Sequence, residues 1–139
     1  MNIGKEAWGT VIWQSKDIFF DTEFGWKEDG PILPIEFARI SKDGRVTLVI
    51  TQNGTFVPTF YTLSKYETLD EAVLNLAVRE GSGRRSIGFY DKTKNEFSHN
   101  VFFAENILDW MNENDFDAII WTNLGENWNL RNEKGEIII

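Results

Sequence analysis

Along this chain, short runs of aromatic and β-branched residues alternate with clusters of Gly, Asp, Asn and Pro, a pattern that predicts strands closed by turns. Ala7 to Trp13 is the first such run. Its side chains suit a strand, and Gly9 within it marks a bulge or a close backbone approach. From Gln14 to Pro34 the chain turns polar and rich in breakers, yet it carries Phe19, Phe20, Phe24 and Trp26, so a long loop packed onto the body is expected. Ile35 to Ile40, the Asp-Gly turn of Lys42 to Arg45, Val46 to Thr51, the Asn53-Gly54 turn and Thr55 to Leu63 then read as a three-stranded antiparallel meander. Pro58 signals an edge, a bulge or an interruption in the third strand.

Helical spacing follows. Thr68-Leu69-Asp70-Glu71 has the spacing of a capping box, and Leu69, Val73, Leu76 and Ala77 fall on one face. Gly81 supplies the stop, which leaves Glu80 at the helix end, ahead of a basic turn through Arg84 and Arg85. Ser86 to Tyr90 reads as a strand and Asp91 to Asn95 as a turn. Phe103 to Asn114 carries a second apolar stripe at Phe103, Ile107, Trp110 and Met111, and Asp117 to Thr122 reads as a buried strand. The apolar end Ile137-Ile138-Ile139 calls for a sheet or a partner to pair with. The expected class is α+β: a mostly antiparallel sheet, open or barrel-like, packed with two main helices in a single domain over 1–139.

Composition narrows the function. A chain of 139 residues suits one domain that buries roughly two thirds of its unfolded surface. Its 14 Lys and Arg stand against 22 Asp and Glu, a formal charge of −8, which argues against a phosphate-tracking nucleic-acid binder. No cysteine is present, so thiolate catalysis, disulfides and Cys-ligated zinc are excluded. No stretch has the length and apolarity of a membrane span, and a soluble cytoplasmic protein is expected. Six Trp and eleven Phe are read first as core filling.

Candidate chemistry is sparse. His99 is the one histidine, and neither a nucleophile elbow nor other triad context surrounds it, Asp91 and Ser98. The acidic clusters at Asp21 and Glu23, Glu28 and Asp29, and Glu113, Asp115 and Asp117 lack calcium-loop spacing and read as solvated faces, so no metal or cofactor is expected. Glu80 differs, because the end of a helix disfavours negative charge and partial burial there raises a carboxyl pKa. Such a group suits proton transfer, although Arg79, Arg84 or Arg85 could instead pair with it.

Glu6 to Trp13 and Leu76 to Gly81 together carry a resemblance. Gly9-Thr10-Val11-Ile12-Trp13 resembles the Tyr-Gly-Ser-Leu-Ile-Trp segment of the γ-glutamylcyclotransferase superfamily, particularly its ChaC-type branch, and Leu76 to Glu80 followed by Ile87 to Tyr90 resembles that branch's helix ending in Arg-Glu ahead of a strand. The likeness covers roughly the first ninety residues, with Trp8, Thr10 and Val11 in place of Tyr, Ser and Leu. It implies a substrate-binding stretch at Trp8, Gly9, Thr10, Val11 and Ile12 and a single acid/base at Glu80. It also implies a small-molecule substrate with a γ-glutamyl group, cyclised to 5-oxoproline without a cofactor. Two other readings compete: a non-catalytic domain binding a metabolite, nucleotide or other small anionic ligand, and an acidic protein-interaction or inhibitor module using Trp128, Leu130 and the Ile137 to Ile139 tail.

Overall fold

The computed structural model describes residues 1–8, 20–41, 44–80 and 83–138. Its strands are β1 (Ile3–Ala7), β2 (Ile32–Ile40), β3 (Val46–Ile50), β4 (Thr55–Pro58), β5 (Phe60–Leu63), β6 (Ile87–Asp91), β7 (Glu96–Phe97) and β8 (Ala118–Thr122), and its α-helices are α1 (Leu69–Glu80) and α2 (Ala104–Glu113). A 3-10 turn, Arg84–Ser86, leads into β6. The α+β class holds: the strands form a five-stranded sheet in the order β5-β1-β8-β6-β7 and a three-stranded sheet in the order β3-β2-β4. No closed barrel forms among the described residues.

Two cores give the layers. Ile3, Ala72, Val73, Leu76, Ala77, Ile87, Ala118 and Ile120 join α1 to one face of the large sheet. On the opposite face Leu33, Ile35 and Ile50 of the small sheet meet Tyr61, Ile119 and Trp121 of the large one, with Ile107, Trp110 and Met111 of α2. The alternation within β8 explains this division: Ala118 and Ile120 point to α1, Ile119 and Trp121 to the other core, and all four are buried to the last per cent. Gly88 of β6 lies under Trp121, where a Cβ would come within 2.4 Å of the indole. A glycine is what lets the indole approach the neighbouring strand this closely.

Most strand pairs are antiparallel; among the described strands β1 and β8 pair in parallel, with Ile3 opposite Ala118 and Lys5 opposite Ile120, and an isolated parallel bridge joins Arg39 to Asn127. α1 begins as its spacing predicts. Glu71 donates its backbone N–H to Thr68 Oγ1 at 3.3 Å, and the Thr68 hydroxyl donates to Glu71 Oε1 at 2.7 Å. α2 instead starts from Phe103 in the left-handed region, φ 60°, without a side-chain cap.

Three expectations need correction. The first strand already begins at Ile3, ahead of the expected start at Ala7, and runs to Ala7, with two charged residues, Lys5 and Glu6, buried within it. Of the expected stretch, residues 9–13 lie outside the described residues, as do residues 14–19, Lys42, Asp43, Gly81, Ser82 and Ile139. The meander is absent: β4 pairs with β2, not β3. After β3 the chain crosses close over β2 at Gly54, where a Cβ would sit 2.6 Å from the Ile35 nitrogen, so Asn53-Gly54 opens a crossing and not a hairpin. Finally, the interruption expected at Pro58 is present, but it divides Thr55 to Leu63 into two strands in two sheets, with Thr59 alone between them.

The expected loop is shorter and tied down: β2 already begins at Ile32, and backbone bridges join Phe20 to Ser64 and Lys27 to Tyr61 along the open side of β5. At the other end of the chain, the Ile138 N–H donates to the Leu130 carbonyl at 2.8 Å and Arg131 bridges Ile137, so the tail pairs with itself. Trp128, Ile137 and Ile138 remain exposed.

Candidate functional site

The described parts of the two stretches that carried the resemblance, Glu6 to Trp8 and Leu76 to Glu80, lie on neighbouring elements, β1 with the residue after it and α1. Met1 and Leu69 line one surface hollow, so β1 and α1 start together. Midway, Lys5 Nζ donates to Asn75 Oδ1 at 2.9 Å. A helix rises about 1.5 Å per residue, so Glu80 lies about 7.5 Å beyond Asn75, toward the Trp8 end of β1. Gly9, Thr10, Val11 and Ile12, the expected anion cradle, lie outside the described residues.

Glu80 is half-buried at the last position of α1. Its Oε1 is buried and has no hydrogen-bond partner among the described residues. Burial raises its pKa, and the Arg79 guanidinium, with Nη1 3.9 Å from Oε1, draws it back down. Arg84 is engaged elsewhere, 3.3 Å from Asp70 Oδ1. A carboxyl whose pKa is raised by burial is a stronger proton acceptor when ionised than an exposed one.

Trp8 is partly buried against the core between the sheets, and its indole N–H donates to the Leu48 carbonyl of β3 at 3.0 Å. That bond ties the end of β1 to the small sheet. The indole donor is therefore committed to the protein.

One polar residue without a role in the sequence reading stands out here. Glu6 is 3% exposed, on the same face of β1 as Trp8 and opposite Tyr61 of β5. Thr59 Oγ1 lies 2.9 Å from Glu6 Oε1, while Glu6 Oε2 is buried without a partner among the described residues. Desolvation pushes this carboxyl up to about 8, against the opposing effect of Thr59. The signal was available in period two: Gly4, Glu6 and Trp8 share one face, and Lys5 takes the other with Ile3 and Ala7. A charged pair inside a buried strand nonetheless reads locally as a polar start.

The remaining candidates take structural parts. Asp91 Oδ1 accepts from the Thr93 backbone N–H at 3.0 Å and from its hydroxyl at 2.6 Å, and Ser98 Oγ accepts from the Phe89 N–H. His99 is exposed. No group of three or more His, Asp or Glu side chains among the described residues is placed to hold a metal ion. Nor is any described helix long and apolar enough to cross a membrane.

The chain matches no family model, no curated protein and no solved structure. Whatever is said of its activity rests on the residues themselves.

Proposed function

We propose that the protein is a γ-glutamylcyclotransferase-like enzyme that converts a γ-glutamyl amide or amine to 5-oxoproline. The observation that supports this reading is Glu80 at the end of α1, whose buried Oε1 accepts no hydrogen bond among the described residues and has only the Arg79 guanidinium 3.9 Å away as a charged neighbour there. Backbone N–H groups of Gly9 to Ile12 would hold the substrate α-carboxylate, an anion site that needs no Lys or Arg. The Glu80 carboxylate takes a proton from the α-ammonium. The freed amine attacks the γ-carbonyl carbon, the protonated Glu80 gives that proton to the departing nitrogen as the C–N bond breaks, and the second proton shed by the ring nitrogen passes through the regenerated Glu80 carboxylate to the released amine, which leaves as an ammonium. Because nucleophile and electrophile belong to one molecule, positioning supplies much of the acceleration and one acid/base suffices.

The test is release of 5-oxoproline from a panel of γ-glutamyl dipeptides and amines, followed by mass spectrometry. Turnover is expected from the parent, with a drop of about a hundredfold or more in Glu80→Gln at unchanged thermal stability. Full turnover by the variant removes Glu80 from the mechanism. A second reading, a small-molecule-binding domain without turnover, is favoured by Arg79, whose charge stabilises the ionised form of Glu80. Absence of turnover by a folded parent, with a small anion retained through purification, selects it.

A further inference from the structure

Thr59 is the single residue between β4 and β5, the point at which the chain passes from the small sheet to the large one. Its backbone is clasped by the segment before β2: the Gly30 N–H donates to the Thr59 carbonyl at 2.8 Å, and the Thr59 N–H donates to the Pro31 carbonyl at 3.0 Å. The approach is close enough that a Cβ on Gly30 would sit 2.6 Å from the Thr59 oxygen.

The side chain completes the clasp. Thr59 Oγ1 lies 2.7 Å from the Pro31 carbonyl oxygen and 2.9 Å from Glu6 Oε1. A hydroxyl has one proton, and a carbonyl oxygen can only accept. If Thr59 donates to Pro31, the contact with Glu6 is a hydrogen bond only when Glu6 brings the proton. The ionised carboxylate would instead claim the Thr59 proton and leave the Pro31 carbonyl without it.

We infer that Glu6 is a proton-operated latch between the two sheets: as the neutral acid it donates to Thr59, which donates to Pro31 and holds the crossover closed, and on ionisation the relay reverses and the clasp at Gly30 to Pro31 loosens. Burial, which raises the Glu6 pKa to about 8, places this change near neutral to mildly alkaline pH. Among the described residues no counter-charge of the needed sign lies at hydrogen-bond range of Glu6. From β5 comes Tyr61, whose phenol is raised first by burial and then by Asp29. The strap beside β5 brings Asp29 and Lys27, the latter with its ammonium 5.1 Å over the Phe24 ring, and the loop after α2 brings Asp115 beside Phe116. β8 and α2 add Ile119, Trp121, Ile107 and Trp110 to this core, and Lys5 points to the opposite face. This inference is independent of the proposed reaction.

The sign follows from proton linkage. The folded carboxyl stays protonated up to about 8, whereas the unfolded one ionises near 4.5, so the stability present below 4.5 is lost as pH rises between those values. The folding constant of the parent, relative to that of Glu6→Gln, should fall by up to about tenfold per pH unit across that window and level off above it. Lys5 titrates in both proteins and cancels in the ratio. Locally, amide-exchange protection at Gly30 and Thr59, corrected for the intrinsic rate, should fall with rising pH in the parent more than protection at Ile119 and Ile120, and stay constant in Glu6→Gln. Equal pH profiles in parent and variant, or a loss spread evenly over the central strand, would overturn the latch. Should Glu6→Gln fail to fold, Thr59→Val carries the test: protection at Gly30 should be low already at about pH 6 and unchanged at about pH 9, and a persisting pH-dependent drop counts against the latch.

Discussion

The two faces of β1 treat adjacent buried charges differently. On the face toward α1, Lys5 is 2% exposed and donates to Asn75 Oδ1, with the Tyr66 ring 5.9 Å from its nitrogen. On the face toward the small sheet, Glu6 has Thr59 for one oxygen and no described partner for the other. Burial moves both toward neutrality, Lys5 down to about 7 and Glu6 up to about 8. A regular helix can present a polar side chain to a strand at a chosen height, whereas a crossover between sheets offers one hydroxyl, already shared with Pro31. The difference teaches that the element covering a buried charge, more than the strand carrying it, decides how fully the charge is answered.

The largest effect is expected on the α1 face. Asn75→Leu removes the 2.9 Å acceptor of Lys5 and should cost about 2 kcal/mol in urea unfolding near pH 6, where Lys5 is charged. Lys5→Met should cost little or stabilise, since replacing a buried polar arrangement by apolar volume is often neutral or favourable. In the double variant most of the Asn75→Leu penalty should disappear. The folded pKa of Lys5 lies below the unfolded value of 10.5, so its contribution is present above 10.5 and lost as pH falls through about 7. Stability relative to Lys5→Met should therefore rise between those values, opposite in sign to the Glu6 dependence. A parent whose stability shows no such rise would leave Lys5 charged and fully compensated, and the contrast between faces would shrink.

What was legible in the sequence was local. The capping box at Thr68 and Glu71 and the apolar faces of both helices depend on neighbours three or four residues apart, and they stand as expected. β8 was legible because Ala118 to Trp121 is apolar on both faces, as a central strand covered on both sides must be. The start of β1 at Ile3 did not show because Lys5 and Glu6 break the apolar run, and the partners that answer them, Asn75 and Thr59 among them, lie far along the chain. The path at Gly54 was misread since the same Asn-Gly pair serves a hairpin and a crossing. β7, two residues long, had no periodicity to show. Of the candidate site, Glu80 was visible from helix-end logic alone. Glu6 was not, because its environment is built by Thr59 and Pro31.

A smaller effect tests how the Glu6 face is anchored at its far end. Trp8→Phe keeps an aromatic ring on the inter-sheet core but removes the N–H that reaches the Leu48 carbonyl, for an expected loss of about 1 kcal/mol by thermal unfolding. If the indole N–H serves the fold alone, the KM for any γ-glutamyl substrate should stay within about twofold of the parent. A large rise in KM at unchanged stability would instead place the Trp8 N–H on the substrate and detach it from Leu48.

The smallest effect belongs to the near end of the same face. A Cβ on Gly4 would meet the Phe116 ring at 3.4 Å, ordinary van der Waals contact, and Gly4 has no need of positive φ. Gly4→Ala should therefore fall within about 1 kcal/mol of the parent, with a tendency to stabilise because alanine has less backbone freedom to lose on folding. The same substitution at Gly30, where the Cβ would meet the Thr59 carbonyl oxygen at 2.6 Å, forces the clasp open and should be clearly destabilising. Equal costs at the two glycines would mean that the clasp around Thr59 yields as easily as an open strand, and the contrast between an answered lysine and a latched glutamate would lose its structural basis.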